Sequence, residues 1–255
     1  MQKSNPFYVE MGINPRRIFL ILVGIVMFAS LGHIVVRKLN SLLDIESTPL
    51  VGIYNFFNMS VEANFPTYIS AINLLIAALL CGLIAFCESN LKKRYTWHWW
   101  GLAACLLILS LDEAAQIHEG IVGSILGFYV EQGQGIFYYK WYLAYIPVLA
   151  ILSFLYLPFL KHLPLRYSSK FVLSAFVYFG GAIGFEMVQA YLSYHSRSTG
   201  LSVLVEETLE MLGVVIVIYT LLLYLSEQSY ALKLKFAPEE NFPSHLEYSQ
   251  SRRIK

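Results

Sequence analysis

The chain has 255 residues, of which 57% are hydrophobic and only 14% charged, with a formal net charge of +1. An average soluble domain carries roughly 25% charged residues, so this composition, with a mean hydropathy of +0.57, excludes an ordinary soluble enzyme. The near-neutral balance gives no basic field for nucleic acid, and Cys81, Cys87 and Cys105 fall in apolar runs with neither CxxC spacing nor a disulfide framework.

In chain order, six stretches have the roughly 20 apolar residues that a bilayer crossing needs: 18–36, 67–87, 99–118, 141–160, 170–194 and 201–225. They predict an all-α polytopic membrane protein, a six-transmembrane-helix bundle over residues 1–226. The polar stretch 227–255, with Pro238 and Pro243, reads as a disordered cytoplasmic tail. Arg16 and Arg17 precede the first span as they would a secretory signal. Its apolar run exceeds the usual signal core of about 7–15 residues and no clear cleavage site ends it, so a retained anchor is expected.

Lys and Arg set the expected orientation. The N-terminal stretch, the loops after spans two and four, and the C-terminal tail hold 14 of them; the opposite side holds Arg37, Lys38, Lys140 and Arg197. Both termini are therefore expected in the cytoplasm of an integral multi-pass protein. The other loops are long and partly apolar at 50–59 and 120–130, too short to span, and read as interfacial or re-entrant segments. Trp97, Trp99 and Trp100 read as an aromatic belt. Asn73 reads as an interhelical hydrogen-bonding residue, and the uncharged fourth span as lipid contact and packing.

Ionisable residues inside the spans are almost all acidic. The third span carries Asp112, Glu113 and His118 with Glu119 at its end; the fifth carries Glu186; the sixth carries Glu206, Glu207 and Glu210. His33 ends the first span, Glu62 precedes the second, and no Lys or Arg occupies a span interior. An intramembrane carboxylate costs at least about 2.5–3.5 kcal/mol, so several together need protons, water, the histidines or a bound cation. With alternating span directions, all of these groups fall in the extracytoplasmic half of the membrane.

Helical spacing groups them further. Asp112, Gln116 and Glu119 stand at i, i+4 and i+7; Glu206, Glu207 and Glu210 can face one space; Glu186 and Gln189 share a face. Gly180, Gly181 and Gly184 below them permit a close helix approach. The segment from Glu62 to Pro66 reads either as a lid reaching into the site or as a polar turn that starts span two.

Carboxylates and a histidine from several helices are what a bundle-embedded metal site requires. The expected ligands are Asp112, His118, Glu119, Glu207 and Glu210, with Glu186 and Glu206 as catalytic proton carriers and Glu62, Glu113, Gln116, Gln189 and His33 as accessory residues. Iron, manganese, magnesium, calcium or zinc would suit such donors. The leading expectation is a metal-dependent membrane enzyme acting on a lipid-like substrate. A cation- or proton-coupled transporter or channel and a non-catalytic assembly subunit are the alternatives. The chain has no HxxxH, HxxHH or ExxH box. The run Glu186, Gln189, Arg197, Glu206/Glu207, Glu210 and Gly213 resembles the E-x-x-Q … R … D … N … G end of VanZ-like membrane proteins. Glutamates replace the aspartate and asparagine, nothing comparable lies in the N-terminal half, and the resemblance carries no function over.

Overall fold

The computed structural model describes residues 12–228, except Gln132 and the side chain of Glu119, and all regular structure among them is helical. The expected disorder of 229–255 lies outside the described residues. Helix α1 (Pro15–Leu43) begins where the Asn14 side chain accepts the N–H groups of Arg16 and Arg17, with Pro15 in a first turn that needs no donor. The short α2 (Val51–Phe57) leads into α3 (Phe65–Asn90), capped by Asn64 through the N–H of Thr67. Helix α4 (Thr96–Ala115) returns along α3 and is followed by a π-helical turn, Ile117–Gly123, and α5 (Ser124–Tyr129). Then come α6 (Trp141–His162), α7 (Leu165–Phe179), a second π-helical turn at Gly180–Phe185, α8 (Glu186–Tyr194) and α9 (Gly200–Glu227).

Among the described residues, five helical stretches are long and apolar enough to cross a membrane: α1, α3, α6, the run Leu165–Tyr194, and α9. A sixth arises if α4 is joined to Gly120–Tyr129, from which it is bent by 73°. This is where the structure departs from the expected third span. Gln116 adopts a left-handed conformation (φ 54°) and its N–H closes α4 on the Asp112 carbonyl. Beyond it, Asp112 Oδ1 accepts the N–H of His118 at 2.7 Å, so a side chain satisfies a backbone donor that the α-helix has abandoned.

Helix α9 is central and packs against α1, α3, α7 and α8. The main core lies among α3, α4, α6, α7 and α9, where Leu74, Cys81, Ile84, Trp99, Phe159 and Leu221 are no more than 2% exposed. Trp99 is thus a core residue, not a belt residue: it stacks edge-on against Phe159 at 5.0 Å, while Trp97 is 82% exposed. Asn73 is buried, and its Nδ2 finds no partner among the described residues.

The start of α1 and the end of α9 share one surface depression, lined by Asn14, Arg16, Arg166, Tyr219 and Ser226. At this terminal end Tyr224 donates to the buried Glu88 at 2.5 Å, and Lys93 reaches the same carboxylate at 3.3 Å. Tyr167 and Arg166 hold Glu227, which is the last residue of α9 and not part of a tail.

Candidate functional site

At the opposite end, the loop before α3 joins α4, α6, α7, the second π turn, α8 and α9 around a cavity of about 140 Å³, enough for several waters. Glu62, Asp112, Glu113, His118, Glu186, Gln189, Glu206, Glu207 and Glu210 all line it. Among the described residues, seven carboxylates therefore face one small space, and no Lys or Arg lines it. Charges so removed from bulk water demand protons or a cation to offset them.

Three of these groups form a chain. Glu186, 4% exposed, accepts the Trp141 indole N–H on Oε1 at 3.2 Å and the Gln189 amide on Oε2 at 3.3 Å. The same Gln189 amide donates to Glu206 Oε2 at 3.1 Å. An amide nitrogen has two protons, so Gln189 spans two carboxyl groups with one side chain.

Local backbone geometry puts the three together. The π-helical turn Gly180–Phe185 ends where α8 starts, so Glu186 follows directly on a widened turn; such turns recur at functional sites. Gly181 in that turn lets α9 come close. A Cβ there would stand 2.8 Å from the Glu206 carbonyl and 3.2 Å from Glu210 Cγ. Gly180 and Gly184, expected to serve the same approach, face open space.

On the other wall, Asp112 gives both carboxylate oxygens to His118, Oδ1 to the backbone N–H and Oδ2 to Nδ1 at 3.2 Å. The His118 ring also lies 4.7 Å from that of Trp141. Glu62 accepts from Thr67 at 3.4 Å. The segment around Glu62 fills both roles left open by the sequence: Glu62 lines the cavity while Asn64 caps α3.

The loop carrying Met59, Ser60, Val61 and Glu62 forms one wall of the cavity. His33 does not line the cavity. It is buried on α1, and its Nδ1 accepts the Met59 N–H at 2.9 Å, so it positions the loop. Arg37 donates to Ser60 Oγ at 3.1 Å and packs against Gly200 at the start of α9. Asn64 Nδ2 closes the loop on the carbonyls of Asn58 and Val61.

Gln116 does not line the cavity, because the left-handed turn at this residue ends the stripe it was expected to share with Asp112 and Glu119. The Glu119 side chain lies outside the described residues. Among the described residues, no three His, Cys, Asp or Glu side chains are grouped to hold one metal ion. The expected ligands Asp112, His118, Glu207 and Glu210 surround the cavity without converging on a point, and Asp112 is occupied by His118.

Helix α6, uncharged over residues 141–160, contributes more than lipid contact. Trp141, Tyr145 and Leu149 line the cavity, as does Tyr178 of α7. The i, i+4, i+8 spacing of the three α6 residues was the available signal.

Residues 17–225 match the model of a family described as Domain of unknown function (DUF8692). No curated protein and no solved structure matches the chain.

Proposed function

We propose that this chain, which belongs to the DUF8692 family, captures a positively charged group in its acidic cavity and carries out acid–base chemistry on it through Glu186 and Glu206. Five to six helices long and apolar enough to span support a multi-pass membrane protein, and the Lys and Arg distribution supports an extracytoplasmic cavity. The observation that carries the reading is the set of seven carboxylates, with no Lys or Arg, around one space of about 140 Å³. Trp141, Tyr145 and Tyr178 add aromatic surface, whose π faces add a weaker attraction for ammonium groups to that of the carboxylates. A divalent ion would sit there with part of its water shell retained, since the donors are spread around the wall.

Glu186 and Glu206, joined through Gln189, are the proton carriers of this reading. Toward the terminal end the bundle closes with the fully buried side chains of Leu74, Ile84, Ile218 and Leu221. That packing supports capture and chemistry at one face over passage through the bundle.

The test is thermal unfolding of the purified protein in neutral detergent. Magnesium, calcium, manganese, zinc and tetramethylammonium are compared with sodium at matched ionic strength. Saturable stabilisation by at least one of them, lost in Glu186→Gln/Glu206→Gln, is the expected result. Equal stability in all of them would overturn the proposal.

A further inference from the structure

A second, wider cavity of about 980 Å³ adjoins the first and shares Ser60, Trp141, Glu186 and Gln189 with it. Its wall is of a different kind: Phe128, Tyr129, Val130, Tyr138 and Tyr139 supply apolar and aromatic surface. Apart from the shared Glu186, its charged groups are Glu131 and Lys140, of opposite sign, and the Lys140 ammonium is bound to the Val130 carbonyl. This cavity is a wide groove open to the outside, with room for a small organic molecule.

The mouth of this vestibule is formed by α5, which the bend after α4 turns across the end of the bundle. There Phe128 and Tyr129 are 83% and 79% exposed, and Ile121 and Ile125 are 55% and 54% exposed. An exposed apolar and aromatic segment running across the helix ends fits the boundary between acyl chains and headgroups. A molecule leaving the leaflet beside α5 would meet aromatic surface first and the carboxylates last.

We infer that the vestibule takes the apolar body of an ammonium-headed amphiphile whose head enters the acidic cavity. The inference rests on the proposed function and names its substrate class. Charge supports the direction of binding: seven carboxylates line the inner cavity with no cationic side chain among the described residues, whereas the vestibule adds to the shared Glu186 only Glu131, offset by Lys140, beside the faces of Phe128, Tyr129, Tyr138 and Tyr139.

Two probes separate the two readings. Lysophosphatidylethanolamine and lysophosphatidylglycerol of equal chain length are added to the full chain in neutral detergent, and retention is counted by native mass spectrometry. The amine-headed lipid should be retained about tenfold above the glycerol-headed one. Phe128→Ala/Tyr138→Ala should lower that retention about tenfold while leaving stabilisation by tetramethylammonium unchanged, whereas Glu186→Gln/Glu206→Gln should abolish both. Equal retention of the two lipids by the native chain, or full retention by the Phe128/Tyr138 variant, would overturn the inference. Tetramethylammonium stabilisation without lipid preference would leave the cavity's proposed function standing and remove the vestibule alone. Failure of the lipid probe together with equal stability in tetramethylammonium and all four metal ions would remove both.

Discussion

The indole N–H of Trp141 meets Glu186 Oε1 at 3.2 Å and so ties the first turn of α6 to the first turn of α8. It gives a buried carboxyl group a donor from a helix that otherwise exposes most of its surface, with Phe154 and Ile151 at 77% and 61%. Trp141→Phe keeps an aromatic ring near His118 and removes the donor. The expected cost is about 1–3 kcal/mol, read from denaturant unfolding in detergent. On a Glu186→Gln background the same change should cost less, because the amide is neutral; equal costs in both backgrounds would show that the contact carries no coupling.

The glycines of the second π turn should not be interchangeable. Gly181→Ala drives a methyl into the Glu206 carbonyl and should cost about 1–3 kcal/mol and weaken cation binding. Gly184→Ala meets no atom within 4 Å and should be neutral, or stabilising by up to about 1 kcal/mol through helix propensity. Thermal unfolding of the two variants side by side checks the order.

His33 and Arg37 hold the cavity-wall loop from α1. His33→Phe leaves the Met59 N–H without its acceptor, a loss of about 1–3 kcal/mol. Amide hydrogen exchange should accelerate at Met59 and Ser60 in this variant, and less so in Arg37→Met, whose bond to Ser60 is exposed. Unchanged protection at Met59 would show that the loop is held from elsewhere.

At the terminal end two acidic residues should respond differently. Arg166 and Glu227 form a partly solvated pair, their side chains 57% and 35% exposed, so Arg166→Ala should cost under about 1 kcal/mol. Tyr224→Phe takes the phenol donor from Glu88, which is 3% exposed, and should cost about 1.5–3 kcal/mol, as expected for a hydrogen bond to a charged group. A reversed order in chemical denaturation would contradict this account.

Orientation can be read by labelling with a membrane-impermeant maleimide in intact cells. Cys81 and Cys87 are buried and Cys105 is half-buried, so background labelling should be low. Ser198→Cys, between α8 and α9, should label from outside; Asn90→Cys, at the end of α3, should label only after permeabilisation. The opposite pattern would invert the bundle and place the cavity on the cytoplasmic side.

Length and hydropathy were enough to locate the helices, because a bilayer crossing leaves a run of apolar residues that no short-range competition hides. The carboxylates were conspicuous for the complementary reason, being costly where they stand. The break at Gln116 was not visible. The sequence from Asp112 to Ile117 contains neither Gly nor Pro, and its local preference is to continue the helix. What stops it is the Asp112 carboxylate reaching His118, a contact that exists only once the chain has turned. Trp141 was hidden because an aromatic residue at a span's end serves equally as an interfacial anchor or as a hydrogen-bond donor to a neighbour, and only the position of Glu186 decides between them. Gly181 differs from Gly180 and Gly184 solely by which of them meets α9.

The widened turn at Gly180–Phe185 also acts as a phase adjuster for everything that follows it. Each residue of an α-helix advances the chain by about 100° around its axis. The wide turn holds one residue more than an α-helix would over the same arc, so losing one there would rewind it into ordinary helix with Glu186 and Gln189 still facing Glu206. Losing one from Leu165–Phe179 instead would swing both away by about 100° while leaving composition, hydropathy and span length almost untouched.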